Sequence, residues 1–140
     1  MFQNRDEIRK VYQAVWQKVN SGQLLEPMES LIADVIQLHP EYHALLDSGE
    51  SLLEAEFSAD AGQSNPFLHM GMHIALREQA GTDRPAGFTK LYKKLLRKMD
   101  VHRAEHAMME CLGQSLWLAQ RNNTAPDEQA YLACVKEIKA

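Results

Sequence analysis

All six histidines of this 140-residue chain fall into pairs four residues apart: His39 with His43, His69 with His73, and His102 with His106. Random placement of six histidines would give on the order of 0.2 such pairs, so the spacing is a constraint and not an accident of usage. Four residues make slightly more than one helical turn, and side chains at i and i+4 lie about 40° apart on one face. The chain is therefore expected to be helical at three places and to project two imidazoles side by side at each.

The remaining sequence agrees with helices and shows no strand alternation. A first helix is expected over Arg5 to Val19, with Ile8, Val11, Tyr12, Val15 and Trp16 on one stripe and Asn20-Ser21-Gly22 as its stop. A second covers Glu26 to Leu38, after which Pro40 must kink it or open a new short helix. Ser48 to Phe57 is a short helical candidate, and Ser58 to Ser64 is a loop of small residues. Asn65-Pro66 combines a capping residue with a first-turn proline and starts a helix through His69 and His73 to Gly81. Pro85 and Gly87 precede a basic amphipathic segment, Thr89 to Met99, and Asp100 caps a long helix, Val101 to Arg121. Thr124 and Pro126 open a last helix whose stripe is Tyr131, Cys134, Val135 and Ile138. The expected fold is all-α: one domain, residues 1–140, folded as a bundle of about five to seven helices around a four-helix-type core.

Composition removes several functions. The formal net charge of −4 gives no overall field for nucleic acid or anionic lipid. A nucleic-acid role is not expected unless it comes from a local patch. The one basic run, Lys90, Lys93, Lys94, Arg97 and Lys98, is read first as a solvated helix face, with phosphate binding as the alternative. No apolar run reaches the length of a membrane span, and the charged start is unlike a signal peptide, so a cytoplasmic protein with no membrane partner is expected. The two cysteines, Cys111 and Cys134, are far apart without CxxC spacing and are expected to be reduced. Trp16 and Trp117 are expected in the core. No phosphate-binding glycine loop or serine elbow is present.

The candidate chemistry lies with the histidines. On a helical wheel started at His102, Glu105, His106, Met109, Glu110 and Gly113 all fall within about 80°, so two carboxylates flank two imidazoles. Glu78 falls well away from His69 and His73 and is not a candidate. Glu56 shares the apolar side of its segment with Leu52, Leu53 and Phe57, an expensive place for a lone carboxylate. His39 continues the stripe of Ile32, Val35 and Ile36 and should face inward, whereas His43 depends on how Pro40 turns the chain. The expected metal ligands are His69, His73, His102 and His106, with His39, His43, Glu56 and Glu110 as further ligands and Glu105 as a ligand or catalytic base.

Imidazoles and carboxylates from several helices suit iron, manganese, zinc or nickel, and dinuclear iron with oxygen or redox chemistry is the first expectation. A mononuclear zinc or nickel site with a hydrolytic water is the alternative. A third reading is metal storage or sensing without turnover. The fourth is a metal-free interaction module whose histidines are satisfied in the core. Whether the protein is an enzyme, what small molecule it takes and its oligomeric state are left open. The string His102-Arg103-Ala104-Glu105-His106 also matches the H-x-x-E-H of inverted zinc proteases, but five residues recur often and the chain is small for such a protease.

Several longer segments carry a resemblance. Asn65 to Gln79 (NPFLHMGMHIALREQ), Asp83 to Gly87, His102 to Gln120 and Pro126 to Leu132, together with His39 to His43, resemble a family of short bacterial proteins known only as a domain of unknown function. The resemblance covers most of the chain and implies a single-domain bacterial protein, with no activity or cofactor to transfer. In ligand type and fold class the arrangement is also similar in kind to hemerythrin-like and DinB-like metal-binding bundles.

Overall fold

In the computed structural model the described residues are 5–47 and 66–139. Every regular element among them is helical. In chain order they are α1 (Arg5–Asn20), α2 (Pro27–Gln37), a 3-10 turn (Pro40–Tyr42), α3 (His43–Asp47), α4 (Pro66–Thr82), α5 (Phe88–Leu96), α6 (Val101–Asn122) and α7 (Glu128–Lys136). The all-α expectation holds. The expected helix over Ser48 to Phe57, the loop after it, Glu56 and the cap Asn65 lie outside the described residues. The chain divides into two compact units, Met1–Ile74 and Ala75–Ala140, and α4 runs from the first into the second.

The first unit is built on the apolar stripes of α1 and α2. Tyr12, Val15 and Trp16 of α1 pack with Ile32, Ala33, Val35 and Ile36 of α2, Leu46 of α3, and Phe67 and Met70 of α4. Burying a side chain of this size contributes about 1.5–3 kcal/mol. Polar tips are answered at its edge: the Trp16 indole donates to Asp47 at 2.7 Å. Arg9 is buried too, with its guanidinium 5.1 Å from the centre of the Phe67 ring, within cation–π reach. At the start of α2, Glu26 and Glu29 form a reciprocal capping box with Pro27 at the first position, so Glu26 is the cap and not the first helical residue.

In the second unit α6 and α7 pack on each other, and α5 packs on both. Phe88, Leu95, Met108, Leu112, Tyr131 and Val135 are buried here. Each helix start has a local cause. Asp100 caps α6 by accepting from the Arg103 amide at 2.9 Å, and Asp127 caps α7 by accepting from the Ala130 amide at 3.1 Å. The last helix thus starts later than Thr124 and Pro126 suggest, because the residue able to cap it is Asp127. Before α5, Asp83 accepts from the Gly87 and Thr89 amides, which holds its carboxyl below the usual carboxylate range, and Gly87 adopts φ 99°.

Two expectations are overturned in this unit. Cys111 and Cys134 are not reduced but joined in a disulfide, with Cα atoms 5.7 Å apart. They are 23 residues apart, and the antiparallel return of α7 along α6 brings them together, which local spacing rules do not register. Trp117 is not a core residue: it is 56% exposed, and its ring is covered by the Arg121 guanidinium at 5.1 Å. Among the described residues, no helix is long and apolar enough to cross a membrane.

Candidate metal centre

In the first unit, three histidines converge from two directions. His39 sits at the end of α2, where Pro40 ends the α-helical course and opens the 3-10 turn. His69 and His73 project from the first half of α4, one turn apart as their spacing requires. The His39 ring lies edge-on to His69 at 4.9 Å and to His73 at 4.7 Å, and His69 lies 4.9 Å from His73. One ring nitrogen from each of the three lies within 4.8 Å of the others. His39 and His73 are fully buried and His69 is half-buried. Three nitrogens on one ion at about 2.1 Å each lie about 3.4–3.6 Å from one another, so inward side-chain movements of under about 1 Å close the set onto an ion.

The tautomer of His39 suits that role. Its Nδ1 lies 2.9 Å from the Val35 carbonyl oxygen, and a carbonyl can only accept, so Nδ1 carries the hydrogen. In the neutral ring the lone pair is then on Nε2. This is the support that metal-bound imidazoles usually have, a backbone acceptor on one nitrogen orienting the other. Tyr42 stacks on the His39 ring, 5.2 Å between centroids and 10° from parallel, and meets His69 edge-on at 6.4 Å. Sequence reasoning passed over Tyr42, although it lies three residues beyond His39 in the same short turn.

His43 is placed differently from its partner in spacing. Pro40 breaks the helix between them, so His39 and His43 do not share a helical face. The His43 ring packs on Trp16 at 4.3 Å, and its Nε2–H donates to the Ile36 carbonyl at 3.0 Å. His43 therefore belongs to the packing between α1 and α3 and not to the converging set.

The second unit holds the third pair. His102 and His106 lie one turn apart on α6, half-buried, with ring centroids 4.0 Å apart. Glu105 between them is fully buried, as its place on the wheel implies. Its carboxylate accepts from Arg77 Nε at 3.0 and 3.3 Å, from Arg77 Nη2 at 3.2 Å and from the Tyr92 hydroxyl at 2.6 Å. Burial, with the hydrogen bond to Glu105 second, pushes the Tyr92 phenol far above its ordinary value, so it remains a donor. One carboxylate thus answers a guanidinium and a phenol. Arg77 had a readable signal, because it continues the four-residue step His69, His73, Arg77 along α4; the step from Tyr92 to Glu105 has none. Glu110, expected as a ligand from its place on the same wheel face as His106, is exposed and outside the histidine group, and Glu78, placed on the wheel away from His69 and His73, is exposed too.

Imidazole nitrogens are borderline-soft donors suited to zinc, nickel, iron and copper, and no carboxylate of the described residues joins the histidine group. The chain is thus an all-helical protein with a histidine cluster that could hold a metal ion. It belongs to the family described as Domain of unknown function (DUF1841), whose model matches residues 4–137. No curated protein and no solved structure matches it, and the expected likeness to hemerythrin-like and DinB-like bundles is not confirmed.

Proposed function

We propose that this chain is a metal-binding protein in which His39, His69 and His73 ligate a first-row transition metal ion and His102 with His106 form a second ligand pair. The observation that carries the reading is the convergence of three ring nitrogens within 4.8 Å, with His39 oriented by the Val35 carbonyl. A core histidine kept for packing alone needs one satisfied nitrogen. Nothing in packing asks His39 to meet the two imidazoles of α4 edge to edge.

The donor set ranks the metals. Carboxylate-bridged dinuclear iron needs carboxylate ligands, and the candidates are differently placed: Glu105 holds Arg77 and Tyr92, and Glu110 faces solvent. An imidazole-only ion, zinc or nickel, therefore comes ahead of dinuclear iron, with Glu56 the carboxylate on which an iron centre would depend. Manganese, which prefers oxygen donors, comes last. His39, His69 and His73 would hold the ion, and a zinc ion bound there would supply Lewis acidity toward water, which suits hydrolysis. Glu105 is here a positioning residue for α6 and not the base.

Inductively coupled plasma mass spectrometry on untagged protein purified without chelator tests this. About one zinc or nickel per chain is expected. His39→Ala, His69→Ala and His73→Ala should each lower bound metal by roughly tenfold or more, since even outer-shell substitutions reach that size. His43→Ala and Glu78→Ala should retain it. The variants His102→Ala and His106→Ala report which ion the second pair serves. Near two irons per chain would reinstate the dinuclear reading, and metal-free protein after reconstitution would make all six histidines structural.

A further inference from the structure

Between Asp83 and Asp100 the chain has no acidic residue. Lys90, Lys93, Lys94, Arg97 and Lys98 are all exposed, and none forms an ion pair with another described residue. Like charges four apart, as in Lys90 with Lys94 and Lys94 with Lys98, repel and weaken a helix. In a chain of net charge −4, this is a local field set against the overall one.

Tertiary structure adds a feature that the run alone does not have. Lys136, near the end of α7, comes to the same place as two of these residues. Lys94, Lys98 and Lys136 line a cavity of about 100 Å³ whose floor is apolar and includes Leu95 and Val135. No carboxylate of the described residues lines it. Three lysines, from α5, from the turn that follows it and from the end of α7, thus border one cavity with an apolar floor, and their charges sum to a positive local field there.

We infer that this cavity binds a phosphoryl oxyanion, either free phosphate or the terminal group of a small phosphate ester. The size is of the right order: water occupies about 30 Å³ each, so a space of about 100 Å³ is comparable with one tetrahedral oxyanion. The charge fits too, since a phosphate monoester carries roughly −1.5 to −2 near neutrality and lysine serves it as a compact point charge. A membrane surface fits less well, because Phe88 and Leu95 on the apolar face of α5 are already buried in the protein. A nucleic acid would draw on the whole strip, including Lys90 and Lys93, and not on the cavity alone.

The test is calorimetric titration of the full chain with inorganic phosphate and with phenyl phosphate, repeated after chelation so that any bound metal contributes nothing. Both anions should compete for one saturable site. Lys94→Gln, Lys98→Gln and Lys136→Gln should each weaken binding about tenfold, the loss expected for one charge-assisted contact. Lys90→Gln and Lys93→Gln should change it less than about twofold, because screening weakens charges outside the cavity. Tighter binding of phenyl phosphate assigns the source to an ester, and equal or weaker binding assigns it to free phosphate. No saturable binding at millimolar anion overturns the inference. So does a loss of equal size at Lys90 and Lys93, accompanied by tighter, steeply salt-dependent binding of an oligonucleotide, which would make the strip a nucleic-acid face.

Discussion

A carboxylate taken fully out of water must be answered by donors, and the answer decides what it can do. Glu105 is 0% exposed, beside an Arg77 side chain that is 15% exposed, and the pair is completed by the Tyr92 hydroxyl. Removing one partner of such a pair leaves the other charge desolvated. Glu105→Ala is therefore expected to lower unfolding free energy by about 3–5 kcal/mol. Glu105→Gln keeps an acceptor for Tyr92 and should cost less. Urea denaturation measures both, and a loss of under about 1 kcal/mol in the alanine variant would show that the ion pair contributes little. The wheel made Glu105 legible as an inward residue beside His102 and His106. Its partners were not legible, because Arg77 and Tyr92 reach it from other helices. The same holds for His39 and His43, identical in type and spacing, which part company at Pro40.

At the level of elements, starts and stops were the most readable part of the chain. Capping by Asp100, the proline of Pro66 and the breaks after α1 and before α5 all depend on residues within one turn of the boundary. The α6–α7 hairpin was readable as two helices but not as a cross-linked pair. Cys111 and Cys134 close a loop with a sequence separation of 23, which in the chain-entropy account stabilises the oxidised form by about 3 kcal/mol. Reduction, or Cys134→Ser, is expected to lower the urea midpoint by a corresponding amount while leaving helix content near its oxidised value. Coincident unfolding curves with and without reductant would show that packing alone holds the hairpin. Trp117 fell on the wrong side of the expectation because it lies on the face of α6 opposite buried Met108 and Ala119, beside exposed Leu116 and Leu118. An aromatic residue there is covered by its own neighbour Arg121 and not by another helix.

For the molecule as a whole, the tyrosines set a limit on alkaline stability. Burial raises the phenols of Tyr12, Tyr92 and Tyr131 well above their ordinary value near 10, with the hydrogen bond to Glu105 adding to the effect at Tyr92. Below about pH 10 folded and unfolded chains hold these protons equally, so the contribution is fully present. As pH rises further, the unfolded chain ionises first and binds fewer protons, and stability falls by up to about 1.4 kcal/mol per pH unit for each phenol. Urea midpoints at pH about 9 and about 11 should therefore diverge, and Tyr131→Phe should reduce the difference. Equal slopes in the two proteins would mean that Tyr131 ionises alike in both states.

The sequence alone determined that the chain is all-helical, where most of its helices begin, that His39, Glu105 and His73 turn inward, and that histidine is the residue type on which its chemistry turns. Those properties follow from the 3.6-residue period, from caps and from proline, all of which act within a turn or two. Only the tertiary structure decided that His39 meets His69 and His73 while His43 meets Trp16, that Glu105 serves Arg77 and Tyr92, that the two cysteines are joined, and that Lys136 comes to Lys94 and Lys98. Each of these is a contact between segments distant in sequence. Such contacts are selected by which apolar faces pack together, and no local spacing encodes that choice.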